Sequence, residues 1–169
     1  MSDADTTAEI LDALIKRADR LIWATEPQLG SRLRRIDFWT LHPHEGKGHC
    51  STVYEIKASR SDFRRDSAIK QREARLYADQ FYYVAPAGVI PPEEVPDWAG
   101  LQVWNGRVFK TVIHAPRLSK SAPSWDLVSS IFRSAGRIRR DTSIEMRELR
   151  GKLARAEMRL KAAQRQHQQ

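Results

Sequence analysis

Cysteine is nearly missing from this chain of 169 residues: Cys50 stands alone. An internal disulfide is therefore impossible, and a reducing cytoplasm is the expected location. Long apolar runs are missing too. No stretch approaches the roughly 18 consecutive apolar residues that a membrane-spanning helix needs. The acidic opening MSDADTTAEI lacks the basic-then-apolar order of a secretory signal. No glycine-rich loop suited to cradling phosphate occurs, and no nucleophile triad is recognisable. What remains is one domain of ordinary size with an appendage, long enough to bury a core.

Charge is plentiful and uneven. The formal net charge is +8. Residues 131–169 hold 11 Lys/Arg against 4 Asp/Glu, whereas residues 1–130 hold 18 against 17. A balanced body with a basic C-terminal region points to a polyanion partner, DNA foremost. The plain alternative is a solvated helix face. Two regions follow from this contrast: residues 1–120 as the main domain and residues 121–169 as a basic helical extension.

Periodicity orders the elements. Residues 6–23 read as an amphipathic helix through Ile10, Leu11, Leu14, Ile15, Leu21 and Ile22. Residues 35–42 and 52–58 read as strands, joined by a loop around Gly46-Lys47-Gly48 and so paired antiparallel. Residues 61–78 read as a helix with a sparse apolar side, and residues 80–85 as a strand closed by Pro86. The stretch Gly100–Trp104, the pair Asn105-Gly106 and residues 107–114 predict a hairpin. Helical character resumes at Ser124. In the last helix Met146, Leu149, Leu153, Ala156, Leu160 and Ala163 alternate by three and four, a short coiled-coil seam that would suit a homodimer. The order implies an α/β fold with a mixed sheet flanked by helices.

The chemistry concentrates in Arg35-Ile36-Asp37-Phe38-Trp39 and Tyr54-Glu55-Ile56-Lys57. Side chains alternate along a strand, so Glu55 and Lys57 share a face with Val53 while Tyr54 and Ile56 take the other. Two acids and a lysine in otherwise apolar strands need compensation. A divalent metal would provide it, held by Asp37, Glu55 and the Ile56 carbonyl, and Mg²⁺ suits so small a ligand set. Lys57 beside a metal-bound water would orient or deprotonate it, or neutralise charge developing on phosphorus. The competing reading is a salt bridge from Lys57 to Asp37 or Glu55 at a sheet edge.

The segments RIDFW, YEIKASRSDFRRD, YADQFYYVAPAGVIPPEEVP and GLQVW, in that order, resemble the MmcB-like DNA-repair proteins of the PD-(D/E)XK nuclease superfamily. The resemblance runs from about Leu21 to Pro116. It implies a restriction-endonuclease-like fold and Mg²⁺- or Mn²⁺-dependent hydrolysis of phosphodiesters. It places the metal-binding acids at Asp37 and Glu55 and the catalytic lysine at Lys57. It also implies an upstream acid, for which Glu26 is the match and Glu9 the substitute. The superfamily's eponymous proline is replaced by Ile36 here. In the following helix Lys70, next to Gln71, is the residue expected to reach the scissile phosphate; its alternative is a solvent-facing lysine.

Other clusters carry less. Arg60, Arg64 and Arg65 would suit phosphate contact, but Asp62 and Asp66 balance them as a surface ion-pair network would. His42, His44, Glu45, His49 and Cys50 crowd the first hairpin loop without matching a compact zinc pattern. Phe81 and Tyr83 alternate with Tyr82, as core positions do.

Overall fold

The computed structural model describes residues 2–29, 34–134 and 150–159. The chain divides into two units, Met1–Ala135 and Gly136–Gln169. In the second, residues 150–159 are helical and expose Leu153 and Met158. The other seam positions, Met146, Leu149, Leu160 and Ala163, lie outside the described residues. Among the described residues, no helix is long and apolar enough to cross a membrane.

The first unit opens with α1 (Asp3–Arg17), whose N-terminus is closed by a reciprocal capping box between Ser2 and Asp5. Acids occupy its first turn and Lys16 and Arg17 its last, both favourable to the helix dipole. The expected helix to residue 23 stops early. Ala18 caps it, and after a turn the chain enters β1 (Ile22–Thr25). Ile22 keeps helical phase with Leu14 and Ile15, but the strand uses it for pairing with Leu41 instead. A two-residue pair, β2 (Gln28–Leu29) with β3 (Arg34–Arg35), stands apart from the main sheet.

The main sheet is completed by β4 (Phe38–Leu41), β5 (Ser51–Ile56), β6 (Gln80–Pro86), β7 (Gly100–Trp104) and β8 (Phe109–Ile113). Its order is β1-β4-β5-β6-β7-β8. The β4–β5 hairpin is antiparallel, β5–β6 and β6–β7 are parallel, and β7–β8 returns antiparallel. This is a mixed α/β architecture. The Asn105-Gly106 turn forms as expected, with Gly106 at φ 87° and the Asn105 carboxamide oxygen accepting from the Arg107 and Val108 N–H groups.

Alternation along the strands produces two apolar layers. Ile10 and Leu14 of α1 pack on Phe38, Ile56, Tyr82 and Val84. Trp39, Val53, Phe81, Tyr83 and Leu101 face the other way. They are covered by Phe63 of α2 (Arg60–Arg64), Ala74 of α3 (Arg72–Leu76) and Leu127 of α4 (Trp125–Ser134). Because Leu127 and Ile131 join this layer, α4 belongs to the main body, and the division falls at Ala135 rather than near residue 120. The single helix expected over 61–78 is two short ones, α2 and α3, separated by turns.

Asp79, just before β6, clips the sheet to the segment after β8. Its Oδ2 accepts from the Ser51 N–H at 2.8 Å and from Lys120 Nζ at 2.6 Å, and Leu118 N–H donates to its carbonyl at 2.8 Å. Burial alone would raise the Asp79 pKa, but the Lys120 and Ser51 hydrogen bonds outweigh it and hold the pKa below the usual range. A depressed carboxylate contributes stability above its unfolded pKa and loses it as pH falls towards the native value. Asp79→Ala is expected to cost about 3 kcal/mol at pH 7, since it strands buried donors, with the deficit shrinking in acid; urea denaturation across pH measures both. Gly100 offers a second check. A Cβ there would lie 2.4 Å from the Tyr82 ring and 2.6 Å from the Ala115 nitrogen, so Gly100→Ala is expected to destabilise by about 1–3 kcal/mol in the same assay.

Candidate active site

The site is built where β4 ends before β5 does. Their pairing stops at Phe38 with Tyr54, while β5 continues along β6 to Ile56. Lys57 N–H donates to Val84 on the β6 side at 2.9 Å, so the Ile56 N–H points towards the vacated β4 side. The Asp37 carboxylate fills that position. Its Oδ2 accepts the Ile56 N–H at 2.6 Å, and one side-chain bond replaces the missing ladder bond. Asp37 is thereby fastened beside Glu55.

Glu55 and Lys57 leave β5 on the same face and meet: Lys57 Nζ donates to Glu55 Oε1 at 3.0 Å. The ammonium also contacts Asp66 Oδ2 at 3.1 Å. Side-chain exposures of 7% for Lys57, 11% for Glu55 and 4% for Asp66 place this triad inside the protein, unlike a surface ion pair. Gln71, fully buried, donates from Nε2 to Asp66 Oδ2 at 2.6 Å, and the Ser67 N–H donates to Asp66 Oδ1 at 2.8 Å. The Tyr83 hydroxyl is hydrogen-bonded to Asp66 as well.

Charge states follow from these contacts. Burial, then the neighbouring Glu55 carboxylate, pushes the Asp37 pKa up to about 7, against the opposing pull of the Ile56 N–H and Lys57. Burial also raises Glu55, although Lys57 works against it. Lys57 has the opposite balance: burial would release its proton, but Glu55 and Asp66 hold it above the ordinary lysine value. Asp66 is held low despite burial by the Gln71 hydrogen bond and Lys57. The Tyr83 phenol, buried and facing Asp66 and Glu55, is pushed far up and stays protonated. The second Glu55 oxygen, Oε2, is buried with no hydrogen-bond partner among the described residues.

That orphaned oxygen bears on metal binding. No group of three or more His, Cys, Asp or Glu side chains is disposed around one point among the described residues. The two carboxylates that act on one another here are Asp37 and Glu55, and with the Ile56 carbonyl they are the oxygens that could hold an ion. Hard oxygen donors of this number fit a Mg²⁺- or Mn²⁺-like ion that retains most of its waters.

The remaining expected residues fall elsewhere. Lys70 is exposed and its Nζ donates to the Arg65 carbonyl; the neighbour Gln71, not Lys70, reaches the triad. Glu26 approaches Asp37 only through its backbone, its N–H donating to the Asp37 carbonyl at 3.1 Å. Its exposed carboxylate pairs with Arg35 at 3.2 Å instead. Glu9 accepts the Trp104 indole N–H at 2.8 Å on the α1 face, across the sheet from Lys57. Of the arginines, Arg60 pairs with Glu94 and Arg65 with Asp62. Arg64 lines a cleft of about 330 Å³ whose walls include Asp66 and Tyr83. In the first hairpin loop the His42 and His44 rings lie 5.6 Å apart, and the His49 ring turns to the His42 carbonyl.

Asp66 is the residue that sequence reasoning misplaced. Set among Arg60, Arg64 and Arg65, it reads as one charge in a surface network. Its spacing from Gln71 was the available signal, because a carboxylate and a carboxamide five residues apart can meet across a turn.

No family model matches the chain, and no curated protein matches it. Among solved structures, it is similar to a protein of unknown function from Silicibacter pomeroyi. The two are 25% identical with a TM-score of 0.60, over 81% of this chain and 88% of that one. The likeness spans most of both molecules and concerns the fold.

The raised pKa of Asp37 makes a pH prediction. Between about 4, its unfolded value, and about 7, the native state keeps a proton that the unfolded chain has lost, so stability falls as pH rises through this window. Asp37→Asn retains an acceptor for the Ile56 N–H without the charge. In metal-free buffer it is expected to match the wild type near pH 4 and exceed it at pH 8 in urea denaturation. A variant no more stable at pH 8 would mean that Asp37 ionises without penalty.

Proposed function

We propose that the protein is a metal-dependent DNA endonuclease that hydrolyses phosphodiester bonds in DNA repair or processing. On this reading it has a restriction-endonuclease-like fold and belongs with the MmcB-like proteins of the PD-(D/E)XK superfamily. The observation that carries the reading is the meeting of Asp37, Glu55 and Lys57 at the end of β5, with Asp37 fixed on the Ile56 N–H.

Asp37, Glu55 and the Ile56 carbonyl would hold Mg²⁺ or Mn²⁺, which supplies Lewis-acid stabilisation of a phosphoryl oxygen and a more acidic water. Both carboxylates are disfavoured as anions in the metal-free protein, so a cation relieves an existing cost. Lys57 is held protonated by two carboxylates, which favours electrostatic stabilisation of the pentacovalent phosphorus over proton abstraction. Asp66, Gln71 and Tyr83 keep the ammonium in place. Arg64 at the cleft mouth and the basic C-terminal region would contact DNA phosphates, and the C-terminal seam would support a homodimer.

One observation favours a second reading, a non-catalytic DNA-binding or adaptor module. Lys57 already has two carboxylate partners, so its charge is balanced without a metal. The two readings separate in one experiment. Purified protein is incubated with single-stranded, duplex and branched DNA and Mg²⁺ or Mn²⁺, with a chelator control. Nuclease function predicts chelator-sensitive cleavage that falls about 10²–10³-fold in Lys57→Ala. The module predicts DNA retention, indifferent to chelator and without cleavage. Equal cleavage by wild type and Lys57→Ala would place the activity elsewhere.

A further inference from the structure

A second cleft lies on the other face of the sheet. It holds about 680 Å³, a volume typical of small-molecule sites, between the flank of α1 and the β7–β8 hairpin. Glu9, Asp12 and Lys16 line the helical side, at spacings that put them on one face. The hairpin side carries Trp104, Arg107 and Phe109.

The aromatic wall is held rigidly. Trp104 and Phe109 are register partners across the hairpin, with ring centroids 4.6 Å apart. The Arg17 guanidinium lies over Phe109 at 4.4 Å and Tyr54 at 5.3 Å, and donates to Gln102 Oε1 at 2.9 Å. The Trp104 indole N–H is taken by Glu9. Arg17, Trp104 and Glu9 therefore already have partners. Lys16, Arg107 and Asp12 line the same cleft, and their side chains make no ion pair or hydrogen bond with another described residue.

Two mutually tilted aromatic rings, with two cations and one carboxylate that have no partner among the described residues, define the ligand's chemistry. An apolar ligand would leave all three charges unanswered. An inorganic anion would have no use for the rings. A nucleotide answers each group: its base stacks on an aromatic surface, its phosphate meets the cations, and its hydroxyl or amino donors meet the carboxylate. We propose that this cleft binds a nucleotide, either free or as an unpaired residue of a single strand. The site stands apart from Lys57 and does not depend on the nuclease reading.

Calorimetric titration of the full chain tests it, using nucleoside 5′-monophosphates, ribose 5-phosphate and single-stranded hexanucleotides. Saturable binding of a monophosphate identifies a free nucleotide as the ligand, and binding of the hexanucleotide alone identifies a strand residue. In either case the double variant Lys16→Glu/Arg107→Glu is expected to lose about tenfold or more in affinity. Both reversed residues are exposed, and circular dichroism confirms that the variant is folded. Ribose 5-phosphate, without a base to stack, is expected to bind about tenfold more weakly or not at all. The proposal is overturned if neither nucleotide form binds, if charge reversal leaves affinity unchanged, or if ribose 5-phosphate binds as tightly as the nucleotides.

Discussion

A single ammonium group inside the sheet layer organises much of this fold. Removing an ion from water costs several kcal/mol even after relaxation, so Lys57 can sit where it does only if its partners are held in place as firmly. Glu55 comes from the same strand without further cost in chain ordering. Asp66 has to be delivered from outside the sheet, and the chain between α2 and α3 does this. One continuous helix over this region would leave no turn to carry Asp66 inward. Instead α2 ends at Arg64, Asp66 turns into the interior with its own oxygen capped by the Ser67 N–H, and α3 starts after the buried Gln71. The break in the helix and the burial of the charge are one event.

This explains which parts of the molecule were legible from sequence. Period-two alternation revealed β5 and its two faces, because strand sidedness is a property of local backbone geometry. The turn at Asn105-Gly106 was legible for the same reason. The end of α1 was not. Leu21, Ile22 and Trp23 satisfy helical spacing, and only the pairing of Ile22 and Trp23 with Leu41 and Thr40 of β4 makes a strand there, a contact made with residues some twenty positions away. The 61–78 segment failed similarly, since no helical periodicity reports that Asp66 will be drawn towards a lysine nine residues earlier.

The candidate site divides along the same line. Glu55 and Lys57 were recoverable as a pair because two residues of one strand fix their relation. Asp37 follows from the β4–β5 hairpin, though its hydrogen bond to Ile56 depends on where the ladder ends. Position and residue type point to Lys70 and Glu26, yet each side chain finds a nearer exposed partner, the Arg65 carbonyl and Arg35 respectively. A long exposed side chain gains little from any one contact, so local options decide its direction. Gln71 has no such freedom. Fully buried, its amide must be met by protein, and Asp66 meets it.

Adjacent residues of β5 consequently serve opposite sides of the sheet. Glu55 turns to Lys57, whose ammonium also meets Asp66, while Tyr54, one position earlier, turns to Arg17, which lies over the Phe109 ring of the aromatic cleft. The strand between them is hydrogen-bonded to β4 on one edge and β6 on the other, so neither face can shift its register without moving the other by a residue. A phosphodiester engaged at Lys57 would sit at the end of β5, and a nucleotide seated against Trp104 of β7 would be linked to the same strand through Arg17, which lies over Tyr54. Separation across one sheet layer lets the two sites differ in character: a dry cluster of compensated charge on one face, and open cations beside aromatic rings on the other. A substitution that disturbs β5 packing, such as one at Val53 or Ile56, would reach both, whereas charge changes at Lys16 or Arg107 would reach only the second.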